Sequence, residues 1–400
     1  MSKIFIKSYP VKGGDCFLIN YGKINILIDT GYKDTSNKLI EDLRNMSQKG
    51  ESINLLILTH IDNDHIGGAI SLLEEENIIK IDEVWYNGYK QIFNIENEFK
   101  KPEDNLDLVL KNIVSTNLSY KDEKDDYEVG YDEAKSLEEL LFNKKIQINK
   151  SFNSNLILAG MKYAFDKKIE FYFLSPLQKN IDNLKQEWME ELQYNDCYEN
   201  ERNIYNMPKA FEFYFSNNKE DIVEYEMGNE VDKVFNVKKL ASIKNSLDNT
   251  KINNSSLAFI IKIDDINLLF LGDSNPNVII SEVKKLIEKD KKFKNIKLMK
   301  VSHHGSKYNI NNELLALIKV EKFLISTNGS PIRNNTATKP HIESIAKIIY
   351  SHPIATIYLN YPKCKYNPDI YDIVENYNKE CESNIEIENG YDIEPLIIEI

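Results

Sequence analysis

A chain of 400 residues, 42% hydrophobic and 28% charged, has ample material for a large globular core. No apolar stretch approaches the roughly twenty residues of a bilayer span, which excludes a membrane-crossing helix. A net charge of −13 opposes non-specific adhesion to polyanions, because phosphate binding depends on lysine and arginine, although a local basic groove survives a global balance.

Met1–Lys7 alternates like the start of a strand and has no apolar region followed by a small-residue cleavage site, so a cytoplasmic protein is expected. Cys16, Cys197, Cys364 and Cys381 lack metal-type spacing and suit a reducing compartment, as packing residues. Strand signals follow over Ile4–Ser8, Cys16–Asn20 and Ile24–Asp29, with turns at Lys12–Asp15 and Tyr21–Lys23, which reads as an antiparallel meander. A helix is expected over Thr35–Gln48, then an apolar strand over Ile53–Leu58, a helix over Gly67–Glu75 and a strand over Ile81–Trp85. From about Asn87 to Lys150 the chain turns polar and acidic, with helical patterning in Leu106–Val114 and Glu133–Phe142. A strand over Ile169–Leu174 precedes a second irregular segment, about Leu177 to Thr250, with a helix over Leu184–Tyr194 and the aromatic run Phe211–Phe215. Strands over Leu257–Ile263 and Leu268–Leu271 come next. Helix and strand then alternate over Val278–Lys289, Ile296–Val301, Asn311–Ile318, Phe323–Thr327, His341–Tyr350 and Ala355–Leu359, so the class is α/β.

The chemistry is concentrated where apolar runs stop. Thr59–Gly68 reads THIDNDHIGG and sets His60, Asp62, Asp64 and His65 directly after the strand signal, a pattern that suits a cation at a strand end. Asp62-Asn63-Asp64 alone would be an exposed turn; two histidines in the same window argue for ligation. Asp273 follows Leu268–Leu271, the pair His303-His304 follows Leu298–Val301, and Pro340-His341 opens a helix. The chain has six histidines, and five fall in these strand-end or helix-start positions, leaving His352 as a structural residue.

The THIDNDHIGG cluster resembles the signature of metallo-β-lactamase-fold hydrolases, in the variant with Asp62 in place of the second histidine. Gly13–Ile19, Ile26–Gly31, Phe173–Pro176, Asn253–Leu257, Leu271–Asp273, Ser302–Ser306 and Pro340-His341 occur around it in the order seen in the metallo-hydrolase domain of ComEC-type competence proteins. The two polar segments stay unmatched. The resemblance implies an αββα sandwich, one hydrolase domain over residues 1–400, with polar, partly helical insertions at about 87–150 and 177–250. It also implies roles. His60 and Asp62 would serve one metal, Asp64 and His65 the other, with Asp273 bridging, His341 completing the donors of the second metal and Asp29 orienting the metal loop. The catalytic candidates are Asp64, which would hold or deprotonate the nucleophile, and His303 and His304, of which either could face substrate or a metal. No histidine lies between His65 and His303, where many two-metal relatives have one. An oxygen-rich donor set for one or two divalent ions moves preference from Zn²⁺ towards Mn²⁺ or Mg²⁺.

The expected function is metal-assisted hydrolysis of a phosphodiester or nucleotide-type substrate by a metal-held hydroxide. Its rivals are an amide or thioester hydrolase of the same fold, and a non-catalytic sensing or interaction module beside a partner such as an ATPase. No P-loop motif occurs, so an ATPase would be a separate chain. The insertions are expected to form a lid or docking surface.

Overall fold

The computed structural model describes residues 3–76, 78–95, 136–194, 206–217, 236–330 and 338–400. Strands β1 (Ile4–Ser8), β2 (Phe17–Tyr21) and β3 (Ile24–Ile28) form the expected antiparallel meander, and β4 (Leu55–Ile57) and β5 (Val84–Trp85) extend it in parallel. The C-terminal β14 (Leu396–Glu399) pairs with β1 and completes a six-stranded sheet in the order β14-β1-β2-β3-β4-β5. An eight-stranded sheet faces it. Its antiparallel half comprises β6 (Lys162–Asp166), β7 (Ile169–Ser175), β8 (Ala258–Ile263) and β9 (Ile266–Phe270). From β9 it continues in parallel through β10 (Asn295–Lys300), β11 (Lys319–Ile325), β12 (Thr356–Leu359) and β13 (Glu386–Asn389).

Period-two alternation separates the layers. Phe17, Ile19, Ile26, Ile28, Leu55 and Ile57 meet Phe171, Phe259, Ile261, Leu268 and Phe270 between the sheets. Leu18, Leu27 and Leu56 point the other way, against the helices Asn37–Gln48 and Asn63–Glu74. Ile260, Leu269 and Met299 likewise pack against the helices Pro276–Lys289 and Ile342–Ser351. The result is the expected α/β architecture, an αββα sandwich. Strands β6, β13 and β14 escape the sequence reading and all three are edge strands; β6 and β13 set exposed charged positions in place of an apolar run, whereas β14 is a short run of four residues, Leu396–Glu399.

Helical patterning at Leu106–Val114 falls outside the described residues. The described parts of the two polar segments include the helices Leu137–Asn143, Gln178–Tyr194 and Met207–Asn217, the last enclosing the aromatic run. Leu137, Leu141, Leu184, Trp188, Phe211 and Phe215 join the cluster on the outer face of the first sheet, so these segments carry core of their own. Among the described residues no helix is long and apolar enough to cross a membrane.

Candidate metal centre

Strands β3 and β4 run parallel, as do β9, β10 and β11, so the residues that follow them emerge at corresponding strand ends. A backbone bond joins the two sheets' loops there, Leu257 N–H donating to the Thr59 carbonyl at 2.8 Å, and another ties two loops of the first sheet, Asp15 N–H donating to the Asp64 carbonyl at 3.2 Å. The helix after β4 begins at Asn63, earlier than the expected Gly67, with Asp62 as its N-cap accepting from Asn63 N–H at 2.9 Å. Asp64 and His65 therefore stand on a rigid first helical turn. A Cβ on Gly68 would lie 2.1 Å from the Thr30 carbonyl oxygen, so glycine is required for that turn to dock against the end of β3.

Asp29 sits just past β3 with φ +53°, a left-handed conformation uncommon for aspartate. Its carboxylate accepts from Thr59 N–H at 2.7 Å and Thr59 Oγ1 at 2.8 Å, and from His65 Nδ1 at 2.8 Å. The His65 proton is thereby held on Nδ1, which turns the Nε2 lone pair inward. Thr59 Oγ1, having given its proton to Asp29, is left to accept from His60 Nδ1 at 3.1 Å.

His303 and His304 both adopt left-handed backbone conformations, with φ of +47° and +57°. Adjacent residues of an extended strand point to opposite sides; this pair instead sends both rings to Asp273. Their Nε2 atoms lie 3.8 and 3.7 Å from Asp273 Oδ2. His303 Nδ1 is held by Asp248 Oδ2 at 3.1 Å and His304 Nδ1 by the Ser326 carbonyl at 2.9 Å. His304 Nε2 also lies 3.4 Å from Asp64 Oδ2, and His65 Nε2 lies 3.6 Å from Asp273 Oδ2.

Among the described residues two donor sets join the histidines to the carboxylates of the strand-end loops, His60–His65–Asp273 and Asp64–His65–His304, and a third, Asp15–Asp29–His65, lies behind them, with the atoms of each within 4.8 Å of one another. His60 Nε2, His65 Nε2 and His304 Nε2 are buried with no hydrogen-bond partner among the described residues, a costly arrangement that a divalent cation would resolve. Burial, with His65 beside it, pushes His60 down to about 3, which leaves a neutral imidazole. Burial also opposes charge on His65, yet Asp29 and Asp273 hold it well above the usual histidine value. Burial likewise opposes charge on His304, and Asp273 and Asp15 outweigh it. Burial would raise Asp273, but His303, His65 and His304 keep it well below the carboxylate range. The centre thus favours positive charge among carboxylates.

Residues 9–83 match the metallo-beta-lactamase superfamily. The matched stretch holds Asp29 and the His60–His65 cluster; Asp273, His303 and His304 lie beyond it and reach the same place through the fold. No curated protein matches the chain. Solved structures similar to it include the metallo-beta-lactamase fold protein YhfI from Bacillus subtilis, at 7% identity over 99% of each chain with a TM-score of 0.38. Isothiocyanate hydrolase from Delia radicum gut bacteria is similar at 10% identity over 98% of each chain, with a TM-score of 0.37. A protein of unknown function from Enterococcus faecalis V583 is similar at 11% identity, over 96% of this chain and 77% of the other, with a TM-score of 0.28.

Of the residues singled out from sequence for a metallo-beta-lactamase-type centre, the structure gathers His60, Asp64, His65, Asp273, His303 and His304, with Asp29 behind them. Asp62 caps the helix beside the donor sets without joining either. His341 also stays outside both sets, and the donor beside Asp64 and His65 is His304. The His341 Nδ1 accepts Lys307 N–H at 3.1 Å, which in the neutral ring leaves the proton on Nε2, the reverse of His65 and His304. His352 packs on Phe323 and bonds the Ile318 carbonyl at 3.2 Å, a structural placement. Three buried residues carry parts that sequence reasoning did not assign. Asp248 holds His303, while Asp15 and Lys300 pair beneath Asp273 and His304. Asp15 reads as a turn residue inside the Gly13–Ile19 stretch of the resemblance, Asp248 falls in the second irregular segment and Lys300 in an expected strand, and nothing in their local sequence names their partners. Cys16, Cys364 and Cys381 are free, and Cys197 lies outside the described residues.

Proposed function

We propose that this chain is a metal-dependent hydrolase acting on phosphodiester bonds. The observation that carries the reading is the convergence of buried histidine and aspartate donor atoms, several without a hydrogen-bond partner, at the paired strand ends. His60, His65, His304, Asp64 and Asp273 would hold one or two divalent ions, Zn²⁺ or Mn²⁺ before Mg²⁺. When bound, such ions supply a nucleophile from water near neutral pH and polarise the scissile bond. The protein's own residues do the rest. Asp29 orients His65, Asp64 accepts the proton of the attacking water, and His303 faces the substrate. The His303 side chain is 17% exposed against 3% for His304, so His303 is the ring a substrate can reach.

The phosphodiester class is supported by the likeness of the motif order to ComEC-type domains and by an accessible imidazole placed to bond a phosphoryl oxygen. Elemental analysis of purified protein, followed by assays of dinucleotides, thioesters and amides with Mn²⁺, Zn²⁺ and Mg²⁺, tests it. Bound metal with preferential cleavage of dinucleotides is expected. Faster thioester or amide cleavage would replace the substrate class, and protein that takes up no metal would overturn the reading.

A further inference from the structure

Lys300, at the end of β10, is only 1% exposed, a costly position for an ammonium group unless it is paired. Its Nζ pairs with the equally buried Asp15, donates to the Gly272 carbonyl at 3.1 Å and lies 3.8 Å from Asp273 Oδ1. The other oxygen of Asp273, Oδ2, is the one that faces His65, His303 and His304. Asp15 places Oδ1 3.4 Å from His304 Nδ1, beside the Ser326 carbonyl that Nδ1 also meets. Its backbone is clasped on both sides: Asp15 N–H donates to the Asp64 carbonyl at 3.2 Å, and Gly31 N–H donates to the Asp15 carbonyl at 2.9 Å. One ion pair therefore touches Asp273, His304 and the turn that carries Asp64.

We infer that the Lys300–Asp15 pair positions the metal centre, with Lys300 holding Asp273 so that Oδ2 alone faces the donors and Asp15 holding the His304 ring with Nε2 turned the same way. A pair that merely tied β10 to the Gly14–Cys16 loop would have no reason to reach both donors. The inference rests on the metal-centre reading above and is independent of which bond is hydrolysed. Lys300→Met alone would leave Asp15 buried and uncompensated and is expected to unfold the chain. The deciding variant is Asp15→Asn/Lys300→Met, which removes one charge of each sign, so that a change in affinity reports geometry and not net charge. Calorimetric titration of the full chain with Zn²⁺ and Mn²⁺ should show a Kd weakened about 10–100-fold, the usual effect of removing an outer partner of a ligand, with thermal stability retained. If the double variant fails to fold, Asp15→Asn decides, since its carboxamide still accepts from Lys300; the same direction of change is expected through His304. Wild-type Kd in either folded variant overturns the inference. Wild-type protein that binds neither ion overturns the reading beneath it instead.

Discussion

His304 stands between Asp64 and Asp273, so its removal should cost a metal donor as well as turnover. His304→Ala is expected to lower bound metal by elemental analysis, whereas His341→Ala should keep the wild-type metal content, because its ring lies outside both donor sets. The opposite pattern would exchange the two assignments. Asp248 supports His303 through one carboxylate oxygen that also receives Asn253 and Asn309, at 2.7 and 3.0 Å. Asp248→Asn should therefore loosen the ring and lower turnover about 10-fold or more at unchanged metal content. Equal losses of metal and activity would make Asp248 a general structural support.

The helix Asn63–Glu74 brings Asp64 and His65 to the centre because its start is capped by Asp62 and its docking face is bare at Gly68. Gly68→Ala places a methyl group against a backbone carbonyl that cannot yield, and is expected to destabilise the fold by about 1–3 kcal/mol, the usual range for overpacking. Chemical denaturation checks this, and a neutral result would mean that the turn at Thr30 shifts freely. The helix Gln178–Tyr194 reaches the centre indirectly. Glu187 pairs with Lys251 at 2.8 Å, in the short segment whose neighbour Asp248 holds His303. A helix of the second polar segment is thus tied to the stretch of chain beside Asp248.

Across the molecule, the helices of the two polar segments introduce two buried carboxyls. Glu212 accepts the Leu137 and Glu138 N–H groups at 2.7 and 3.1 Å, and Glu138 faces Lys90 N–H. Burial pushes Glu138 up to about 7; burial, reinforced by Glu138, pushes Glu212 up to about 8. A carboxyl raised in the folded state stabilises it while protonated, so this contribution is complete below the ordinary value of 4.5 and disappears as pH rises through about 7 and about 8. Glu212→Gln should flatten the fall of Tm between pH 5 and pH 8, whatever its effect on Tm at pH 5; an unchanged slope would show that the carboxyl is already ionised in the fold. The net charge of −13 sets an expectation for the proposed phosphodiester substrates. Long duplex DNA should be cleaved more slowly than a dinucleotide at matched phosphodiester concentration and salt, and faster plasmid cleavage would point to a basic groove.

Much of the centre is legible locally. An apolar run that stops at His60, Asp273 or His303 marks a strand end, because burial records itself in alternation and the polar cluster records where burial stops. Asp29 is legible in the same way at the end of β3. The conformation of His303 and His304 is not legible, since paired left-handed residues outside glycine are imposed by the surrounding loops and carry no composition signal. Asp15, Lys300 and Asp248 are hidden for a related reason. Each has an ordinary local environment in sequence; Asp15 and Lys300 meet only when two sheets close over a common edge, and Asp248 meets His303 only when distant connections of the second sheet come together. The αββα class follows from periodicities a few residues long. Which imidazole meets Asp64 follows from how the two sheets pack, and which ammonium group meets Asp273 follows from the pairing of β9 with β10, both of them contacts between distant segments.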